Sequence, residues 1–150
     1  MVPLARFIGT WIGAGAGEYP TIDGFAYGEE IELRPVPGKP ILAYRSATSA
    51  AEDGRSLHGE SGWLRIVGDG AVELIVAQGP GVVEIAEGFV EEGEILLRST
   101  LVGGSATAKL VTATERHYRV EGDTLSYDIA MAAVGQPLTH HLQARLHRTR

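Results

Sequence analysis

The chain has 150 residues, 44% of them hydrophobic and 21% charged, with a formal net charge of -6 and no cysteine. That length suits one domain with a real core, and the balance of apolar and charged residues excludes a disordered chain. The acidic charge argues against a nucleic-acid partner, no apolar run approaches the ~18 residues of a membrane helix, and the missing cysteines remove disulfides, thiolate nucleophiles and zinc-finger sites.

The N-terminus MVPLARFIGTW has neither the charged segment nor the long apolar core of a secretory signal, so a soluble cytoplasmic protein is expected. Val2–Ile8 suits one helical turn ahead of a first strand. The segment Gly9–Thr21 reads GTWIGAGAGEYPT, with four glycines in thirteen positions. As a phosphate loop it fails: the third glycine of G-x-G-x-x-G is misplaced, no Walker lysine follows, and no helical pattern begins. Gly9, Gly13, Gly15 and Gly17 share a parity with Trp11, so on a strand they lie on one face. Glycines there permit sharp bending or the close approach of something flat and large, and Trp11 is placed to plug one end of a barrel.

Further along, Glu29 and Glu30 are neighbours and point to opposite faces of a strand, one solvated and one buried. Strand-forming runs follow at Ala71–Gln78, Val82–Ala86, Ile95–Val102, Ala108–Thr114, Arg116–Val120 and Thr124–Ala133. Turn signals separate them at Gly68-Asp69-Gly70, Gly79-Pro80-Gly81, Glu92-Gly93, Gly103-Gly104 and Glu121-Gly122-Asp123. This spacing indicates an antiparallel all-β fold, and a barrel is favoured because closure removes exposed edges. Glu84, Glu87, Glu91, Glu92 and Glu94 read as an exposed acidic face or loop, and Arg145, Arg148 and Arg150 as a short solvated basic tail.

There are five histidines, at positions 58, 117, 140, 141 and 147, without an HExxH or a compact His/Asp/Glu set. His58 and His117 stand alone and suit hydrogen-bonded structural roles. In PLTHHLQARL, a final strand, alternation groups His140 with Leu142, Ala144 and Leu146 and so points it inward, with His141 outward. No nucleophile elbow and no well-placed carboxylate pair occurs, so no side chain is expected to act as the catalytic acid, base or nucleophile.

The motif GxWxGxGxGxYP at Gly9–Thr21 resembles that of the nitrobindins, small haem-binding β-barrels. The similarity continues through Phe25, Tyr27, Glu29-Glu30, Gly38-Lys39-Pro40, Tyr44, Leu57–Gly62, Gly81–Ile85, Ala108-Lys109 and Met131–Leu142, nearly the whole chain. It departs at Arg34–Pro37, where the family often carries a non-ligand histidine. The resemblance implies a ten-stranded antiparallel barrel, similar in shape to fatty-acid-binding proteins, holding one haem b. It implies His141 as the single axial iron ligand, against the alternation that favours His140, with a bulge after Pro137 as the means of re-aiming it. Thr21 and Lys109 are implied haem contacts, Lys109 towards a propionate, and the glycines of the opening strand would leave room for the flat ring. The implied activity is isomerisation of peroxynitrite to nitrate by the ferric form, with nitric oxide as a further ligand of the open sixth position. Apart from the resemblance, exposed apolar strand residues would support a homodimer. The competing reading is a lipocalin-like carrier of an apolar small molecule with no iron chemistry.

Overall fold

The computed structural model describes residues 2–149, so Arg150 of the basic tail lies outside them. A 3-10 turn at Val2–Phe7 precedes ten strands. These are β1 (Gly9–Tyr19), β2 (Ile22–Pro35), β3 (Ile41–Ala50), β4 (Ser56–Ile66) and β5 (Ala71–Gln78). After them come β6 (Val82–Glu91), β7 (Glu94–Gly104), β8 (Val111–Glu121), β9 (Thr124–Ala133) and β10 (Thr139–Arg148). Each strand pairs antiparallel with the next, and β1 pairs with β10 to close the barrel. The expected all-β barrel is therefore present, and closure leaves no edge strand to aggregate.

The expected runs Ala71–Gln78 and Thr124–Ala133 match β5 and β9. Others were read too short or broken. Ala108–Thr114 and Arg116–Val120 form one strand, β8, while residues 105–110 make the connection before it. The break in apolar character at Glu115 and Arg116 is not a break in alternation: Thr114, Arg116, Tyr118 and Val120 all point inward. Gly103-Gly104 belongs to the end of β7 rather than to a turn. Glu84 is also corrected. Only 1% exposed, it faces the interior between Val82 and Ala86, while Glu87, Glu91, Glu92 and Glu94 are exposed as expected.

The two halves of the barrel differ. One end is packed solid by Leu4, Phe7, Trp11, Ile31, Leu42, Ile95, Leu125 and Leu146. Trp11 is fully buried, donates Nε1–H to the Phe7 carbonyl at 3.0 Å, and lies 4.2 Å beneath the Arg148 guanidinium. Arg148 is thus no solvated tail residue: it also donates to the carbonyls of Ile8 and Arg6 and pairs with Asp123, capping the plug. At the other end the wall parts, because the β7–β8 ladder stops at Arg98 and Glu115. Above that point the Thr114 N–H turns to the Ser99 hydroxyl at 2.9 Å.

The opening glycines serve the wall and not a ligand. A Cβ on Gly13 would overlap the Arg145 carbonyl and lie 2.6 Å from Leu146 Cα, so glycine lets β1 press against β10. The space beside Gly15 is filled by the Tyr27 ring, 2.5 Å from such a Cβ, and the space beside Gly17 by the Phe25 ring. The flat groups they admit are the chain's own aromatic rings, which corrects the expectation that they leave room for a haem. Gly13→Ala is expected to lower the stability of the ligand-free protein by about 2 kcal/mol or more, since backbone has to move. Urea denaturation checks this. A stable Ala variant defective only in ligand uptake would return the glycine to the binding site.

Candidate functional site

Above the packed end the barrel encloses a cavity of about 1060 Å³ that opens at the mouth. That volume reaches the upper range of small-molecule and cofactor sites, ~300–1,000 Å³. Its floor is polar. The inward parity of β8 carries Arg116 to the middle of the barrel, and the same alternation brings Glu60 from β4 and Glu84 from β6. Arg116 Nη1 and Nη2 donate to Glu60 at 2.7 and 3.1 Å, and Nη2 and Nε donate to Glu84 at 2.7 and 3.1 Å. The remaining N–H reaches the Tyr118 hydroxyl at 3.0 Å, so all donors of the guanidinium are used. Glu60 also accepts from Tyr44 at 2.6 Å, and Glu84 accepts from Thr114 at 2.6 Å and Gln78 at 3.1 Å. Burial alone would raise the Glu60 pKa, but the charge of Arg116, the nearby His58 and the hydrogen bonds from Arg116 and Tyr44 outweigh it and hold the carboxyl far below the usual range.

A second polar chain runs up one wall. Glu29 accepts from the hydroxyls of Ser46 and Tyr127, and Tyr127 lies 2.6 Å from the Tyr27 hydroxyl, which reaches the Gln143 carbonyl at 3.2 Å. Burial pushes the Glu29 pKa upward, against the two hydrogen bonds. It pushes Tyr118 up to about 12, so this tyrosine, whose hydroxyl accepts from Arg116, is neutral at physiological pH. No buried side-chain nitrogen or oxygen among the described residues lacks a partner. Every buried polar side-chain atom of the floor is therefore hydrogen-bonded.

The mouth carries the residues singled out in the sequence. β10 pairs His140 with Ala130 and Leu142 with Ile129, leaving His141 as the extra residue of a bulge. A bulge inserts one residue and reverses the facing of what precedes it. His141 and Leu142 accordingly both line the cavity. His140 does not follow the inward alternation; its ring nitrogens lie 3.3 Å from Glu18 Oε1 and 3.7 Å from Asp128 Oδ1, on the outside. His141 Nδ1 is 3.0 Å from the Glu18 carbonyl, which can only accept. Nδ1 therefore carries the proton, and Nε2 holds the lone pair of a neutral imidazole. Burial pushes the His141 pKa below its ordinary value; the Glu18 bond opposes this, and His140 and His58 add to it. Tyr19 packs edge-on against the ring, centroids 5.3 Å apart.

Thr21 and Lys109 line the same cavity, both exposed at its rim. Lys109 makes no ion pair among the described residues, in a chain of net negative charge. Gly9, Gly13 and Gly15 are not part of the lining, and Trp11 belongs to the packed end. His58 lies 4.0 Å from Glu60 at the cavity wall, and His117 bonds Glu94 and Arg119 on the outer surface. Sequence reasoning missed Arg116, Glu60 and Tyr44 as a unit. The available signal was the unbroken alternation of β8 through a charged residue.

These residues fit a haem. No group of three or more His, Cys, Asp or Glu among the described residues could hold a bare ion. A single imidazole with a free lone pair suits an iron whose other ligands come from a macrocycle. Phe25, Leu57, Ile129, Met131 and Leu142 would supply apolar walls for such a ring, and Lys109 would offer a cation to its carboxylates.

Comparison with known proteins agrees. A family model described as the THAP4-like, heme-binding beta-barrel domain matches residues 1–148. A Nocardia farcinica protein named peroxynitrite isomerase is 51% identical over 97% of this chain and 88% of its own length. Peroxynitrite isomerase 1 of Rhodococcus jostii is 52% identical over 97% of this chain and 82% of its own. The crystal structure of Rv2717c from M. tuberculosis superposes with a TM-score of 0.91 at 47% identity, covering 98% of this chain and 95% of that one.

Replacing Arg116 with Met is expected to destabilise the barrel by about 3–5 kcal/mol, because two buried carboxylates lose their counter-charge. The Glu60 pKa is lowered by folding, so its contribution is present above the ordinary Glu value of ~4.3 and is lost as pH falls below it. Thermal denaturation from pH 6 to pH 3, at roughly half-unit steps, reads this: Glu60→Gln should flatten the acid limb seen in the wild type.

Proposed function

The chain belongs to the THAP4-like heme-binding β-barrel family, and on that footing we propose that it binds one haem b through His141 and isomerises peroxynitrite to nitrate. The observation that carries this reading is the re-aimed His141, neutral, with Nδ1 held by the Glu18 carbonyl and Nε2 available inside the cavity. The names of the Nocardia and Rhodococcus relatives support the reaction assigned. The same reading takes the barrel as a single haem-binding domain and its setting as cytoplasmic.

When bound, the haem would supply the ferric iron at which peroxynitrite rearranges and to which nitric oxide would also bind. The residues do the rest. His141 fixes the ring by one nitrogen while Glu18 fixes the orientation of the imidazole. Lys109 neutralises a propionate at the rim, and Thr21 contacts the ring edge. The apolar walls limit water around the reacting anion. Peroxynitrite and nitrate have the same atoms and charge, so the overall conversion takes up and releases no net proton. The hydrogen-bonded floor keeps the shape of the cavity.

The homodimer belongs to the same reading. On the outer face, cross-strand partners Trp63, Ile75, Ile85 and Leu101 form an apolar row with Val83 beside it. Trp63 is 52% and Leu101 51% exposed. A contiguous row of exposed apolar side chains is the kind of surface a second copy of the chain can cover. Trp63→Glu should convert a dimer to a monomer in sedimentation, and a wild-type chain that is monomeric at high concentration ends this part of the reading.

Hemin titration is the test of the site. His141→Ala should abolish the Soret shift of the reconstituted protein and His140→Ala should leave it intact. The reverse pattern would move the ligand to His140. Ferric protein should speed peroxynitrite decay and raise the nitrate yield. If hemin is not taken up and an apolar molecule co-purifies instead, the lipocalin-like carrier is the correct reading.

A further inference from the structure

Two non-glycine residues among those described have positive φ, Glu92 at 47° and Val134 at 46°. Each precedes a glycine with positive φ, Gly93 at 80° and Gly135 at 82°. Positive φ at both central positions is the requirement of a type I′ hairpin turn, for which Asn-Gly is the favoured pair. In the β9–β10 connection the Gln136 N–H closes the turn on the Ala133 carbonyl at 2.9 Å. Valine is a poor occupant of its first central position, because a β-branched side chain crowds the backbone in the left-handed region.

The two turns lie at opposite ends of the barrel. Glu92-Gly93 sits at the packed end, with Gly93 against Arg6 and the Val120 carbonyl. Val134 sits at the mouth and lines the cavity. Its conformation is tied from several sides. Its N–H donates to the Leu110 carbonyl at 2.9 Å, and the Ala133 N–H donates to the Tyr19 hydroxyl at 2.9 Å. Tyr19 is the residue whose ring packs on His141, so one side chain anchors both the turn and the imidazole. Val134 remains 42% exposed, so packing within the chain does not account for the choice of valine over asparagine. Strain kept in place by its surroundings at the rim of a ligand cavity points to a contact with the ligand.

We propose that Val134 is an affinity-determining residue, held in a strained turn so that its isopropyl group forms an apolar contact with the haem beside His141. The turn thus gives up folding stability for cofactor affinity. This rests on the assignment of the haem to His141. The test uses the full chain purified without haem, measuring its melting temperature and its hemin affinity separately. Val134→Asn should raise the melting temperature by about 3 °C and weaken hemin binding about fivefold. Val134→Ile, which keeps both strain and contact, should leave both values close to wild type. Glu92→Asn should raise the melting temperature while leaving hemin affinity unchanged. A Val134→Asn variant with wild-type hemin affinity overturns this inference alone, and so does one that melts below wild type, because its loss would be structural. A wild-type chain that takes up no hemin overturns the assignment to His141 and this inference with it.

Discussion

A guanidinium buried at mid-barrel, gripped by two carboxylates, is the constraint on which the rest of this structure depends. A charge of that kind is tolerated in a protein interior only when its donors are satisfied and its counter-charges are held in place. Arg116 meets this with Glu60, Glu84 and Tyr118, drawn from strands β4, β6 and β8. The carboxylates are completed in turn by Tyr44, Thr114 and Gln78. Their mutual orientation leaves few registers in which the strands can pair, since a shift by one residue would turn all the charges outward or leave them unpaired. The network also divides the barrel. Below it apolar side chains fill the interior; above it the same cylinder stays open as a cavity of about 1060 Å³.

At the mouth, the device that matters is a single inserted residue. Regular alternation along β10 would place His140 inside and His141 outside. The bulge opposite Ala130 and Ile129 lets two successive residues, His141 and Leu142, face the cavity. The neighbouring strand then fixes the imidazole, with the Glu18 carbonyl on Nδ1 and the Tyr19 ring at its edge. Close approach of β1 to β10, which Gly13 makes possible, brings those groups within reach. The glycine motif and the histidine motif are therefore parts of one seam, joined by backbone contact.

The two ends of the barrel are held differently. The packed end is stapled by Trp11, the Phe7 carbonyl and the Arg148 guanidinium. The mouth has a parted wall between β7 and β8 and a strained turn at Val134. Such a division suits a protein that must keep its shape below while admitting a large planar group above.

By itself the sequence determined the fold class, because alternation and regularly spaced turn residues depend on local sterics and on which face each side chain takes. It also carried the family motifs at Gly9–Thr21 and Met131–Leu142, and with them the candidates Thr21, Lys109 and His141. It did not show that Glu84 is buried, that β8 runs unbroken through Arg116, or that Arg148 caps Trp11. Those facts depend on partners far apart in the chain, and a charged residue reads as solvated until its counter-ion is seen. The facing of His140 and His141 was likewise decided only by the tertiary structure. Alternation is a rule for regular strands, and whether a strand is regular is settled by its pairing with a neighbour.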